Sequence, residues 1–230
     1  MDLDGVFDNS GGLQAPSYGD LHREFKSALT YRPESALADD MPRGDGHTVL
    51  VIPGLLTTDA FTFALRRFLT ACGYKVEGWH MGFNLGPTAR AIDGLSRRLD
   101  RLNQREGGPV SLIGVSMGGI LARHLAHEHP GRVRKLATVV SPVRFPTASN
   151  LEPLIRVLSP FYSKDVTPQD YARPLQVPVM AVYTKDDGLI AWETCQGADD
   201  HCHHVEVEGG HVTICRNPQV HRALAEWLAV

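Results

Sequence analysis

The chain has 230 residues, 43% of them hydrophobic and 21% charged, with a formal net charge of -3. That is enough for one well-packed domain and little for two, and it excludes a disordered chain. The mild acidity offers no electrostatic footprint for nucleic acid, and four scattered cysteines are too few for a disulfide scaffold.

The N-terminus, M-D-L-D-G-V-F-D-N-S, is acidic and lacks a long apolar run. It reads as neither a signal peptide nor a transmembrane segment, which makes a cytoplasmic location the default expectation. Residues 1–45 are expected to form an N-terminal tail and helix, with Met1 to Ser17 mobile. The helix should start near Asp20 as its N-cap and carry an apolar stripe of Leu21, Phe25, Ala28 and Leu29.

The main domain is expected over 46–230. Thr48 to Ile52 is a buried strand, followed by the turn Pro53-Gly54-Leu55-Leu56 and a helix from about Asp59 to Ala71. Gly73 to Gly78 reads as a second strand. The loop Trp79 to Pro87 is rich in aromatic residues and glycine. Trp79, Phe83 and Asn84 are candidates for a wall of a substrate pocket; packing the loop down is the alternative, and the sequence leaves both open. Thr88 to Arg105 is an amphipathic helix whose five arginines read as a solvated face.

The stretch Pro109 to Ala126 organises the rest. A β-branched and aliphatic run ends in Gly114-Val115-Ser116-Met117-Gly118, and a helical pattern begins at once. This is the strand, sharp turn and helix of a nucleophile elbow, with Ser116 at the tip and glycines two before and two after. Ser116 is therefore the candidate nucleophile. The amides of Leu55 (with Leu56 as the alternative) and Met117 are the candidate oxyanion donors, because they would face the oxygen that becomes negative when serine attacks a carbonyl.

A further strand covers Val133 to Val140, and the proline-rich segment 143–178 is expected to be a small cap insertion. Val179 to Tyr183 and His203 to Glu208 are the last strands, and a helix runs from about Pro218 to Leu228. A serine hydroxyl needs a base, and the base needs a carboxylate to hold its tautomer. His211, on the Gly209-Gly210 loop after the last strand, is the candidate base. Asp187 is preferred to Asp186 as its acid, because Asp187-Gly188 turns into the apolar anchor Leu189-Ile190. Asp199 and Asp200 lie in a polar loop and are weaker candidates. The cluster of His201, Cys202, His203 and His204 spreads over both faces of a strand start, so no metal site is expected. His221 is expected to be exposed.

With V-I-P-G-L-L at 51–56, G-V-S-M-G-G at 114–119, Y-T-K-D-D-G-L-I at 183–190 and G-G-H at 209–211, the chain resembles the α/β-hydrolases of the small serine esterase/lipase type. The resemblance implies an α/β fold, a mostly parallel sheet flanked by helices. It also implies hydrolysis of a small-molecule carboxylic ester or lipid without a cofactor. Carried over residue by residue, it makes Ser116 nucleophile, Asp187 acid, His211 base, and Leu55 and Met117 oxyanion donors. Pro53-Gly54 and Val115 depart from the His-Gly and pre-serine His of many members, and neither position does the chemistry. The same triad could serve an acyltransferase or thioesterase, and a non-catalytic binding protein on this scaffold is the reading from another class.

Overall fold

Strands β1 (Thr48–Ile52), β3 (Val110–Val115) and β5 (Val179–Tyr183) are buried along their whole length, and β4 (Val133–Val139) nearly so. Continuous apolar runs of this kind belong to a parallel sheet covered on both faces. With β2 (Lys75–Glu77) and β6 (Cys202–Glu206) they form one six-stranded sheet in the order β2-β1-β3-β4-β5-β6. Every pairing in it is parallel. The computed structural model describes residues 3, 6, 7, 12–31, 38–164, 166, 167, 173–197, 199 and 201–230.

Alternate side chains of each strand go to opposite layers. Val49, Val51, Ile113, Val115, Met180 and Val182 meet α2 (Phe63–Ala71) and the C-terminal helix α6 (Pro218–Ala229) through Leu65, Phe68, Leu69, Val220 and Leu224. Leu50, Ile52, Leu112 and Leu136 meet α3 (Ala89–Glu106) and α4 (Met117–Glu128) through Leu95, Leu99, Leu102, Leu121 and Leu125. The winding starts at β1, steps out to β2, then returns to β3 on the other side and continues outward to β6. The strand order therefore reverses between β1 and β3. The crevice beyond the carboxyl ends of strands at such a point is where open α/β sheets bind ligands. Gly54 and Ser116 follow β1 and β3 there.

The strands expected at 48–52 and 179–183 match the structure, and the other elements shift by one to four residues. The larger differences lie near the N-terminus. Helix α1 (Tyr18–Thr30) is capped by Ser17, not Asp20; Asp20, the third helical residue, closes a capping box, its carboxylate accepting from the Ser17 amide at 3.0 Å. Its inward face is only part of the expected stripe: Leu21 and Ala28 are half-buried. Phe25 and Leu29 are exposed, and the one buried side chain of the helix is Glu24. Of the tail expected at Met1 to Ser17, residues 1, 2, 4, 5 and 8–11 lie outside the described residues. Leu3, Val6 and Phe7 are buried against Phe145 and Ile155.

Among its described residues the segment between β4 and β5 carries a short α-helix, α5 (Glu152–Leu158), continued by a 3-10 turn at Ser159–Phe161, and Ser149 is bridged to Ile190. Pro168, within the expected cap insertion, is outside the described residues, as is Asp200. No described helix is long and apolar enough to cross a membrane.

Candidate active site

Ser116 occupies φ 52° and ψ -124°, a backbone conformation that costs a non-glycine residue free energy and persists only where its surroundings enforce it. Its amide donates to the Val139 carbonyl at 2.8 Å, which ties the turn to β4. The flanking glycines are required by close approach. A Cβ on Gly114 would stand 2.3 Å from the Gly118 carbonyl oxygen, and one on Gly118 would stand 2.3 Å from that of Ile52. The helix start is thus pressed onto the ends of both β1 and β3. Gly54 faces the serine itself, since a Cβ there would lie 3.3 Å from Ser116 Cβ.

That close approach brings the loop after β1, which carries Leu55, to the serine. Met117 is the first residue of α4, so its amide has no partner within the helix. The Leu55 amide donates to no acceptor among the described residues. The alternative donor, Leu56, is taken: its amide bonds the Asn84 carbonyl at 2.7 Å. Leu55 is the better placed of the two.

At the same carboxyl edge of the sheet, beyond β5 and β6, Asp187 and His211 form a buried pair with Oδ2 to Nδ1 at 2.8 Å. The other carboxylate oxygen, Oδ1, accepts the Leu189 and Ile190 amides at 2.9 Å each. Those two bonds fix the carboxylate's direction. Asp186 is exposed and makes no contact with the histidine. Burial alone would lower the affinity of His211 for a proton. The Asp187 charge and hydrogen bond, with a further contribution from the Glu24 charge, outweigh it and hold the imidazole above its ordinary range. With Nδ1 bound to the carboxylate, Nε2 is left as the acceptor in the neutral ring.

Sequence reasoning did not single out Glu24. Its Oε1 accepts the amides of Gly188 at 2.9 Å and His211 at 2.6 Å, and its Oε2 accepts that of Val212 at 3.1 Å. The one local signal in the sequence is the pair of glycines, Gly188 and Gly210. A Cβ on either would stand about as close as 2.5 and 2.4 Å to Glu24 side-chain atoms.

A cleft opens beside Ser116, lined by Leu55, Met117, Ile120, Pro142, Phe145 and Ile155 among others. Val6 and Phe7 close one side. Trp79, Phe83 and Asn84, the candidate wall, are not brought to it. Trp79 is buried among Leu50, Ile52 and Leu95, with its indole N–H donating to the Gly82 carbonyl at 2.9 Å. Phe83 is 66% exposed. Asn84 is fully buried and holds the loop after β1. Its amide group donates to the Pro53 carbonyl at 2.7 Å, and its main-chain amide donates to that of Thr57 at 2.9 Å. Asn84 therefore braces the loop that presents Leu55.

Among the described residues no group of His, Cys, Asp and Glu could hold a metal ion, and all four cysteines are free thiols. Asp199 is occupied elsewhere, in a buried ion pair with Arg123 at 2.6 Å. His221 is buried, contrary to expectation, because the α6 turn stacks it on Phe68 and lets its Nε2 meet the Cys215 carbonyl at 2.9 Å.

A family model described as alpha/beta hydrolase fold matches residues 82–167, which take in α3, the elbow and most of the segment between β4 and β5. The chain has the alpha/beta hydrolase fold. Solved structures agree. Est1E from Butyrivibrio proteoclasticus superposes with a TM-score of 0.60 at 14% identity, covering 82% of this chain and 90% of that one. A thioesterase domain from the curacin biosynthetic pathway gives 0.54 at 18% identity, covering 83% and 93%. A lipase-esterase related protein from Clostridium acetobutylicum gives 0.56 at 17%, covering 80% and 96%. No curated protein matches the sequence. Within the alpha/beta hydrolase fold, identities this low speak to architecture and leave the reaction to be argued from the residues.

Proposed function

We propose that the protein is a serine hydrolase that cleaves carboxylic esters through an acyl-serine intermediate. The observation that carries this reading is the buried Asp187–His211 pair at the same sheet edge as the strained Ser116. His211 Nε2 takes the proton of the Ser116 hydroxyl as its oxygen attacks the ester carbonyl. The developing oxyanion is met by the Leu55 and Met117 amides. His211, now protonated, gives its proton to the departing alkoxide, and the alcohol leaves. Water then attacks the acyl-serine with His211 again as base, which returns the acid product and free Ser116.

The apolar lining of the cleft beside Ser116, with Ile120, Phe145, Leu151 and Ile155, supports an aliphatic acyl chain as the substrate part. The alcohol would point to the open side. Nitrophenyl esters of acetic, butyric and octanoic acids test this directly. The wild type should hydrolyse them, and Ser116→Ala should lower the rate by roughly 10⁴-fold or more. Hydrolysis at near-wild-type rates by Ser116→Ala would overturn the assignment.

A further inference from the structure

We propose that Glu24, delivered by the N-terminal helix, is a positioning residue for the candidate acid–base pair, holding the Asp187 loop and the His211 loop in register. The proposal rests on the hydrolase reading above for its catalytic meaning. Its structural content stands by itself.

Three observations converge. First, Glu24 is 3% exposed, and its carboxylate is satisfied by main-chain amides from both loops: Gly188, next to Asp187, and His211 with Val212. One oxygen, Oε1, is shared between the two loops. A shift of either loop would break a charge-assisted bond in a buried site, where such bonds are strongest. Second, Gly188 and Gly210 are the residues over which Glu24 lies, and any side chain at either would displace it. Third, α1 is anchored around this contact. Leu21 packs with Tyr183, Leu189 and Ile190, and Arg216 bonds the Ala28 carbonyl at 3.1 Å while stacking on Tyr31. Two direct ties between the loops exist without Glu24: Thr184 to the Gly209 carbonyl at 2.7 Å and the Asp187–His211 bond itself. Neither holds the His211 main chain, which is what Glu24 does. The charged groups facing the imidazole are then Asp187 from the loop after β5 and Glu24 from α1.

Two readouts test this in the full-length protein. The His211 imidazole is titrated by NMR in the wild type, in Glu24→Gln and in the exposed control Glu226→Gln. The rate of Ser116 labelling by a fluorophosphonate is followed against pH in the same proteins. In Glu24→Gln the imidazole titration should move down, and the labelling plateau should fall about tenfold. Glu226→Gln should change neither. Glu24→Asp keeps the charge but is one methylene short; it should titrate closer to wild type than Glu24→Gln while still losing plateau rate, and it serves if Glu24→Gln fails to fold. An unmoved titration or an unmoved plateau in folded Glu24→Gln, or an unmoved plateau in folded Glu24→Asp, would overturn the proposal. The titration needs no substrate. A wild type that never labels at Ser116 therefore counts against the hydrolase reading, and the imidazole still decides the clamp.

Discussion

The Nδ1 atom of His211 lies 2.8 Å from Asp187 Oδ2, and the next residue back, Asp186, points to solvent. The difference comes from the turn: Asp187 faces inward because its second oxygen collects the Leu189 and Ile190 amides. Asp187→Asn should lower ester hydrolysis by about 10⁴-fold, because the amide holds the histidine in the wrong tautomer. Asp186→Asn should stay within about twofold of wild type. Steady-state rates on one nitrophenyl ester check both, and the reverse ranking would exchange the two assignments.

The pH dependence follows from the raised proton affinity of His211. The base must be neutral to act, so kcat/KM should rise with pH through a value above 6.5, the ordinary histidine figure, before levelling. Stability runs the other way. A histidine that binds its proton more tightly when folded contributes fully below its unfolded value and loses that contribution as pH rises through the folded value. A pH–rate profile with its acid limb below 6.5 would contradict the geometry of the Asp187–His211 pair.

Asn84 gives a third expectation. Its side chain bonds the Pro53 carbonyl, and its main chain bonds both Leu56 and Thr57. Asn84→Ala leaves a buried carbonyl unpaired and loosens the Leu55 loop. Stability should fall by about 1–3 kcal/mol, and kcat should fall about tenfold or more with a smaller change in KM. Thermal unfolding and steady-state kinetics read the two effects separately.

Ile155 projects from α5 into the cleft beside Ser116. Ile155→Trp should fill the space an acyl chain would use. Octanoyl esters should lose about tenfold or more in kcat/KM relative to acetyl esters. Equal losses for both chain lengths would place the acyl group elsewhere.

These expectations draw on two kinds of information. The sheet and the elbow were legible because they are written in local pattern: β-branched runs at Thr48–Ile52 and Val179–Tyr183, and glycines at 114 and 118 where the backbone leaves no room for a side chain. Asp187 was separable from Asp186 by turn chemistry alone. Glu24 was not legible, because a glutamate between Leu21 and Phe25 on a capped helix reads as part of a solvated face. It is buried only because two distant loops, about 164 and 187 residues later in the chain, present free amides to it. The same reason explains Trp79 and Asn84. Their neighbours in sequence give a pocket-like composition, while their partners, Leu50 and Pro53, lie on another element.

In the proposed hydrolase, Ser116 is the nucleophile and His211 activates it. The most direct measurement is mass spectrometry of the protein after reaction with a fluorophosphonate, in the wild type and in His211→Ala. One covalent adduct is expected, on the peptide carrying Ser116, with labelling slowed by about 10³-fold or more in His211→Ala. An adduct on another residue, or labelling of Ser116 at the same rate without His211, would contradict it.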